Sequence, residues 1–145
     1  MNKKPEWQAA TDPLHWDKTS AGVGIGKTFA AMIAKEKTAD SIGLIPAAAG
    51  GSPISTWVPG GYHDQTKSHP YDDAIKLAME KGTLKAILFH QGESDSNKSS
   101  ARGYGKRLEA LIKRFAPILA NRSFLSSAPS SVCFPERRWQ AKKSL

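Results

Sequence analysis

The stretch "LKAILFHQGESD", residues 84–95, decides the reading of this chain. Residues 84–89 form a short, mostly apolar run of strand length, and it stops at a dense polar cluster. Such a run reads as a buried strand whose end delivers functional groups. Upstream, "DDAIKLAMEKG" (72–82) carries the helical period: Asp72 and Asp73 fall in a first turn, Ile75, Ala78 and Met79 share a face, and Gly82 suits a left-handed C-terminal position. Before it comes a second strand-like run, "SIGLIPA" (41–47), and then the glycine-rich loop "AAGGSPISTWVPGGYHDQ" (48–65).

Strand, loop, helix and strand in that order predict a βαβ unit with parallel strands and a right-handed crossover. A further helix is predicted from Tyr104 to Leu119, with Leu108, Leu111, Ile112 and Phe115 on one face. An earlier one spans 27–37, with Phe29, Met32 and Ile33 on its inner side and Lys35 and Lys37 near its end. The fold class expected is therefore α/β. In open parallel sheets ligands bind beyond the carboxyl ends of the strands, where the loops 48–57 and 90–97 should meet. The first 20 residues read as irregular structure anchored by Trp7 and Trp16.

"AGVGIGKT" (21–28) resembles a phosphate-binding loop but has Ala21 where the first glycine is required, and no apolar strand precedes it. It reads as a turn entering a helix. The net charge of +8, from 21 basic and 13 acidic residues, invites a nucleic-acid reading. Half of that excess lies after Asn121, and no aromatic residues interleave with the basic ones, so no nucleic-acid partner is expected. The lone Cys133 excludes an intrachain disulfide framework and a multi-cysteine zinc site. No run approaches the roughly 20 apolar residues of a membrane span, so no membrane association is expected. The opening residues lack the apolar core of a signal peptide, and localisation stays open. Two regions are expected: residues 1–120 as a partial domain, and 121–145 as an irregular basic tail interrupted by Pro129 and Pro135.

"HQGESD" places an imidazole, an amide and two carboxylates within six residues. From a strand end, the Gln91 amide can donate toward a developing oxyanion, and Glu93, partly shielded from water, can stabilise an imidazolium. His90 still lies in the strand trace and is read as a packed residue rather than a base. Asp95 is read as a capping or turn residue. A metal reading of His90, Glu93 and Asp95 with His63 or His69 lacks ligand spacing, so no metal and no other cofactor are expected. Across the loops, the Gly50 and Gly51 main-chain N–H groups complete a two-part oxyanion hole with Gln91.

At these residues the chain resembles the sialate O-acetylesterase and acetylxylan esterase group, carbohydrate esterase family six, within the SGNH-type hydrolases. The matching segments run in order: "DPLHWDK", "AGVGIGKTFA", "IGLIPAAAGGSPISTW" and "LKAILFHQGESDSN" followed by "YGKRLEALIKRF", together covering roughly residues 7 to 116. The resemblance implies a three-layer α/β/α sandwich, flavodoxin-like, around a parallel sheet. It also implies cleavage of acetyl esters from carbohydrates through a serine nucleophile, without a metal. By position, Gln91 would be an oxyanion donor, Gly50 and Gly51 would supply the main-chain donor, and Glu93 would be the acidic partner. His90, Ser52 and Trp57 would lie on the substrate side.

The family's nucleophile sits in a Gly-Gln-Ser-Asn block after an early strand, and its histidine in a late Asp-x-x-His block. Neither occurs at those places in this sequence, and His63 and His69 fall too early to serve. The expectation is an incomplete esterase domain, inactive alone, that begins after the nucleophile and leaves the pattern near Phe115. Unpaired sheet edges would then favour self-association. The other reading is a non-catalytic esterase-like domain that binds acetylated sugars or another protein.

Overall fold

The computed structural model describes residues 6–36, 41–81 and 84–120. Their regular structure is helical: α1 (Ile25–Glu36), α2 (Pro70–Lys81), the single turn α3 (Lys98–Ala101) and α4 (Tyr104–Ala120). Short 3-10 turns occupy Ile54–Thr56 and Glu93–Asp95. Helix α2 starts where local chemistry allows. Pro70 has no N–H to leave unsatisfied in the first turn, and the His69 N–H donates to the Asp73 carboxylate at 3.0 Å. Gly82, Lys37, Cys133 and the whole 121–145 tail lie outside the described residues.

The core forms where α2, α4 and the segment 84–89 converge. Ala49, Trp57, Leu111 and Phe115 are buried, with Tyr71, Ala74, Ile75, Ile87, Phe89 and Ile118 packed around them. Trp57 meets Phe89 edge to face at a 5.3 Å centroid distance, and Tyr71 stacks on Phe115 at 5.7 Å. Leu111 and Phe115 are one helical turn apart and bring the inner stripe of α4 against these rings. Ile112, expected on the same face, is exposed, because the buried stripe is narrower than the apolar one. Met79 of α2 is likewise exposed, while Ala78 beside it is buried.

Residues 41–47 and 84–89 run without regular secondary structure, and the one β-type contact among the described residues is the antiparallel bridge between His63 and Ser68. Burial along 84–90 still approaches a period of two: Ile87 and Phe89 are half-buried against the core, while Leu88 and His90 face solvent. That is the side-chain pattern of a strand without its ladder.

Helix α1 begins two residues earlier than expected and buries none of its residues. Met32 is 59% exposed and Phe29 37%, although the sequence places both on an inner face. Periodicity sets which residues share a face, and only a packed partner makes that face a core. What holds α1 is the 2.7 Å Lys27–Asp12 ion pair and the approach of Gly26 to Leu14 and Leu44. Leu14, rather than Trp7 or Trp16, is the buried anchor of the N-terminal stretch, since Trp7 is 54% exposed and Trp16 half-buried.

Leu111 is 1% exposed at the centre of this core, whereas its neighbour Ile112 is 58% exposed. Leu111→Ala is expected to lower unfolding stability by about 2–5 kcal/mol and Ile112→Ala by less than about 0.5 kcal/mol, read from urea denaturation midpoints.

Candidate functional site

The loop after residue 47 turns sharply at residues 49–52. The Ser52 N–H donates to the Ala49 carbonyl at 3.1 Å, and Gly51 sits at φ +82°, a left-handed conformation natural to glycine. The Gly50 N–H donates to Asp17 Oδ2 at 2.6 Å. Between these two groups, the Gly51 N–H makes no hydrogen bond among the described residues. Other side chains press closely on this turn. A Cβ on Gly50 would stand 2.7 Å from Asp17 Oδ2, and one on Gly51 would stand 2.5 Å from Gln65 Oε1, which itself accepts from Lys18 at 2.9 Å.

The second loop docks on the first through its side chains. Gly92, at φ +152°, bends the backbone into the turn Glu93–Asp95. Asp95 is 4% exposed, and its Oδ2 accepts the Ile54 N–H at 2.7 Å and the Gln91 amide at 2.8 Å. The same Gln91 Nε2 donates to the Ser52 carbonyl at 3.0 Å, and Ser94 Oγ donates to the Gly51 carbonyl at 2.7 Å. Helix α4 completes the assembly: the Tyr104 hydroxyl donates to the Gln91 carbonyl at 2.7 Å, and Arg107 lies 3.9 Å from Asp95 Oδ1.

The two loops are therefore brought together, as the sequence leads one to expect, but several side chains take other parts. Gln91 lies against the residue that follows Gly51, yet both bonds from its amide nitrogen go to protein acceptors, Ser52 and Asp95, and its Oε1 is buried without a partner. Its N–H groups hold the loops together and do not point at an open oxyanion position. Ser52 and Trp57, expected on the substrate side, are 4% and 7% exposed and bonded to each other, the indole N–H donating to Ser52 Oγ at 2.9 Å. A hydroxyl that accepts from a core tryptophan is spent on packing. His90, expected to be packed, is exposed, because the alternation along 84–90 turns it outward. Glu93, expected to be partly shielded, is also exposed.

Asp95 is the residue whose role the sequence reading missed. A capping aspartate satisfies its own turn, whereas this one reaches 41 positions back to the N–H that opens the turn at Ile54. The available signal was that N–H itself, which follows Pro53, begins a one-turn helix and therefore needs an acceptor from outside it. Burial raises the pKa of Tyr104 above its ordinary value near 10, reinforced by the negative charges of Asp95 and Glu93. The phenol stays a donor to Gln91 across the neutral range.

Chemically, the assembled loops offer one free main-chain donor, Gly51, beside a second, Gly50, that already holds an anionic oxygen. That is a place for a negatively charged or polarised oxygen. No group of three or more His, Cys, Asp or Glu side chains among the described residues is arranged to hold a metal ion, and none of their helices is long and apolar enough to cross a membrane.

Comparison with known proteins assigns the family. The family model described as "carbohydrate esterase, sialic acid-specific acetylesterase" matches residues 1–125. A protein of Arabidopsis thaliana, named as a probable carbohydrate esterase, is 38% identical over 117 residues, covering 74% of this chain and 42% of that protein. The chain thus spans less than half the length of this curated relative. No solved structure matches it.

Removing the Asp95 carboxylate leaves the buried Ile54 N–H without its acceptor and the Gln91 amide nitrogen with the Ser52 carbonyl alone. Asp95→Ala should cost about 3 kcal/mol or more in chemical denaturation, and the amide signals of Gly51, Ser52 and Ile54 should broaden or shift together. In an ultraviolet titration Tyr104 should ionise above the ordinary phenol value near 10, and that component should vanish in Tyr104→Phe.

Proposed function

Because the chain belongs to the family of carbohydrate esterases described as sialic acid-specific acetylesterases, we propose that it is the ester-handling part of a carbohydrate O-acetylesterase. The observation that carries this reading is the docking of the loop 90–97 on the turn 49–52, with the Gly51 N–H open beside the Gly50 N–H. In acyl transfer by a serine nucleophile, the carbonyl oxygen of the acetyl group gains charge as the tetrahedral adduct forms, and main-chain donors of this kind stabilise it. The substrate class is that of acetylated sugars, for which sialate esters and acetylxylan are the two candidates.

The fold proposed around this site is the three-layer α/β/α sandwich, flavodoxin-like and of SGNH type. Segments 41–47 and 84–89 would be neighbouring parallel strands. Two features support it: α2 lies between them in sequence, and their following loops meet at the Gln91–Ser52 contact, so both segments point the same way. Sheet edges left unpaired would then mediate self-association, with the exposed face of α1 adding apolar surface.

The chain alone lacks a Gly-Gln-Ser-Asn block and a late Asp-x-x-His block, and losing nucleophile and base together removes orders of magnitude in rate. A second reading, a non-catalytic domain that binds acetylated sugars or a protein, is favoured by one specific observation: Gln91 and Gly50 are already bonded within the protein. Either way, the site should respond to an acetyl group.

In 15N-labelled protein titrated with acetylated and deacetylated xylo-oligosaccharide, the Gly51 amide signal should move with the acetylated form only. Equal responses to both would end the ester-handling reading. Hydrolysis of p-nitrophenyl acetate should not exceed the buffer rate; a rate well above it that is lost in Gln91→Ala would show that the chain is a complete catalyst.

A further inference from the structure

Next to the Gly50 turn lies a cleft of about 300 Å³ that the ester-handling site does not use. This is within the range of small-ligand sites, about 300–1,000 Å³. His15, Trp16, Asp17, Thr66, Ser68 and Asp73 line it together with residues 46–49 and apolar side chains of α2. The cleft and the turn share a residue, since Asp17 lines the first and binds Gly50 of the second.

The lining has a definite chemistry. Each carboxylate spends one oxygen on the protein, Asp17 Oδ2 on the Gly50 N–H and Asp73 Oδ2 on the His69 N–H, which leaves one oxygen of each as an acceptor. Thr66 and Ser68 bond each other at 2.7 Å and keep further hydroxyl capacity. His15 Nδ1 is buried with no partner, and such an atom costs free energy unless something bonds to it. Trp16 supplies a flat apolar surface in the same lining. Among the described residues, no lysine or arginine lines the cleft.

We propose that this cleft is a subsite for an uncharged sugar ring and that it disfavours a carboxylated one. A pyranose offers several hydroxyl donors for the carboxylate oxygens and hydroxyls, and an apolar C–H face for the indole. A sugar carboxylate in a cleft lined by Asp17 and Asp73 meets two like charges, an arrangement that selects by repulsion as much as by attraction. The inference deepens the carbohydrate-esterase reading and rests on it for the expectation that a sugar is the ligand. A ring beside Asp17 would lie next to the glycine turn, because that carboxylate also accepts the Gly50 N–H.

The test uses the full chain, 15N-labelled, with methyl β-xylopyranoside and N-acetylneuraminic acid as probes at millimolar concentrations. The unacetylated neutral glycoside should shift the Trp16 indole signal and the amides of residues 47–49 saturably, and the acidic sugar should bind at least about tenfold more weakly. Trp16→Ala should weaken the neutral sugar about tenfold. Leu77→Trp, which fills the cleft from α2 while leaving every polar group in place, should abolish the shifts with the melting temperature retained. Equal or tighter binding of the acidic sugar, or no response at the cleft to either probe, overturns the proposal. Because neither probe carries an O-acetyl ester, that failure is separate from a failure at Gly51, which reads the acetyl group.

Discussion

The buried carboxylate of Asp95 is the contact on which the rest of the site depends. Taking a carboxylate out of water is costly unless donors replace its hydration. Here the Ile54 N–H, the Gln91 amide and the nearby Arg107 guanidinium do so. Each of these groups belongs to a different part of the chain. One charge therefore ties the turn after the first extended segment, the end of the second and the last helix into a single unit. Gln91 extends the tie to the Ser52 carbonyl, and the Ser52 hydroxyl passes it to Trp57 in the core. The polar site and the apolar core are consequently one cooperative structure, and damage to either should be felt in the other.

What could be read from the residues beforehand follows from which forces are local. Helices α2 and α4 were legible because the helical period and, for α2, the first-turn acids act within a few residues. The inner face of α1 was legible as a pattern but not as a packed surface, since burial needs a partner that no period announces. The apolar runs at 41–47 and 84–89 show the same limit. Side-chain alternation survives along 84–90, whereas a ladder depends on neighbouring backbone. At the site, the position of "HQGESD" and its meeting with the glycine turn could be read from topology. The roles within it could not, because the direction of the Gln91 amide is set by Asp95 and the burial of Ser52 by an indole five residues on.

The Asp17 contact bears on how the proposed chemistry would run. Its carboxylate oxygen lies 2.6 Å from the Gly50 nitrogen, a short charge-assisted bond of the kind an oxyanion would make there. The turn thus already accommodates an anionic oxygen at one of its two donors. A ground-state ester carbonyl is a weaker acceptor than a carboxylate and would not displace Asp17, so it would meet Gly51 alone. A developing oxyanion carries comparable charge and would compete on equal terms for Gly50 as well. Because the Asp17 bond would be lost as the oxyanion's bond to Gly50 forms, that exchange would bring little net stabilisation, and Gly51 would remain the donor whose bond strengthens as charge builds. Asp17 also lines the adjacent cleft, so a ring hydroxyl bonded to its free oxygen would draw on the same carboxylate that competes for Gly50. On the proposed reading, occupation of the cleft and stabilisation of charge at the glycine turn would be coupled through one side chain.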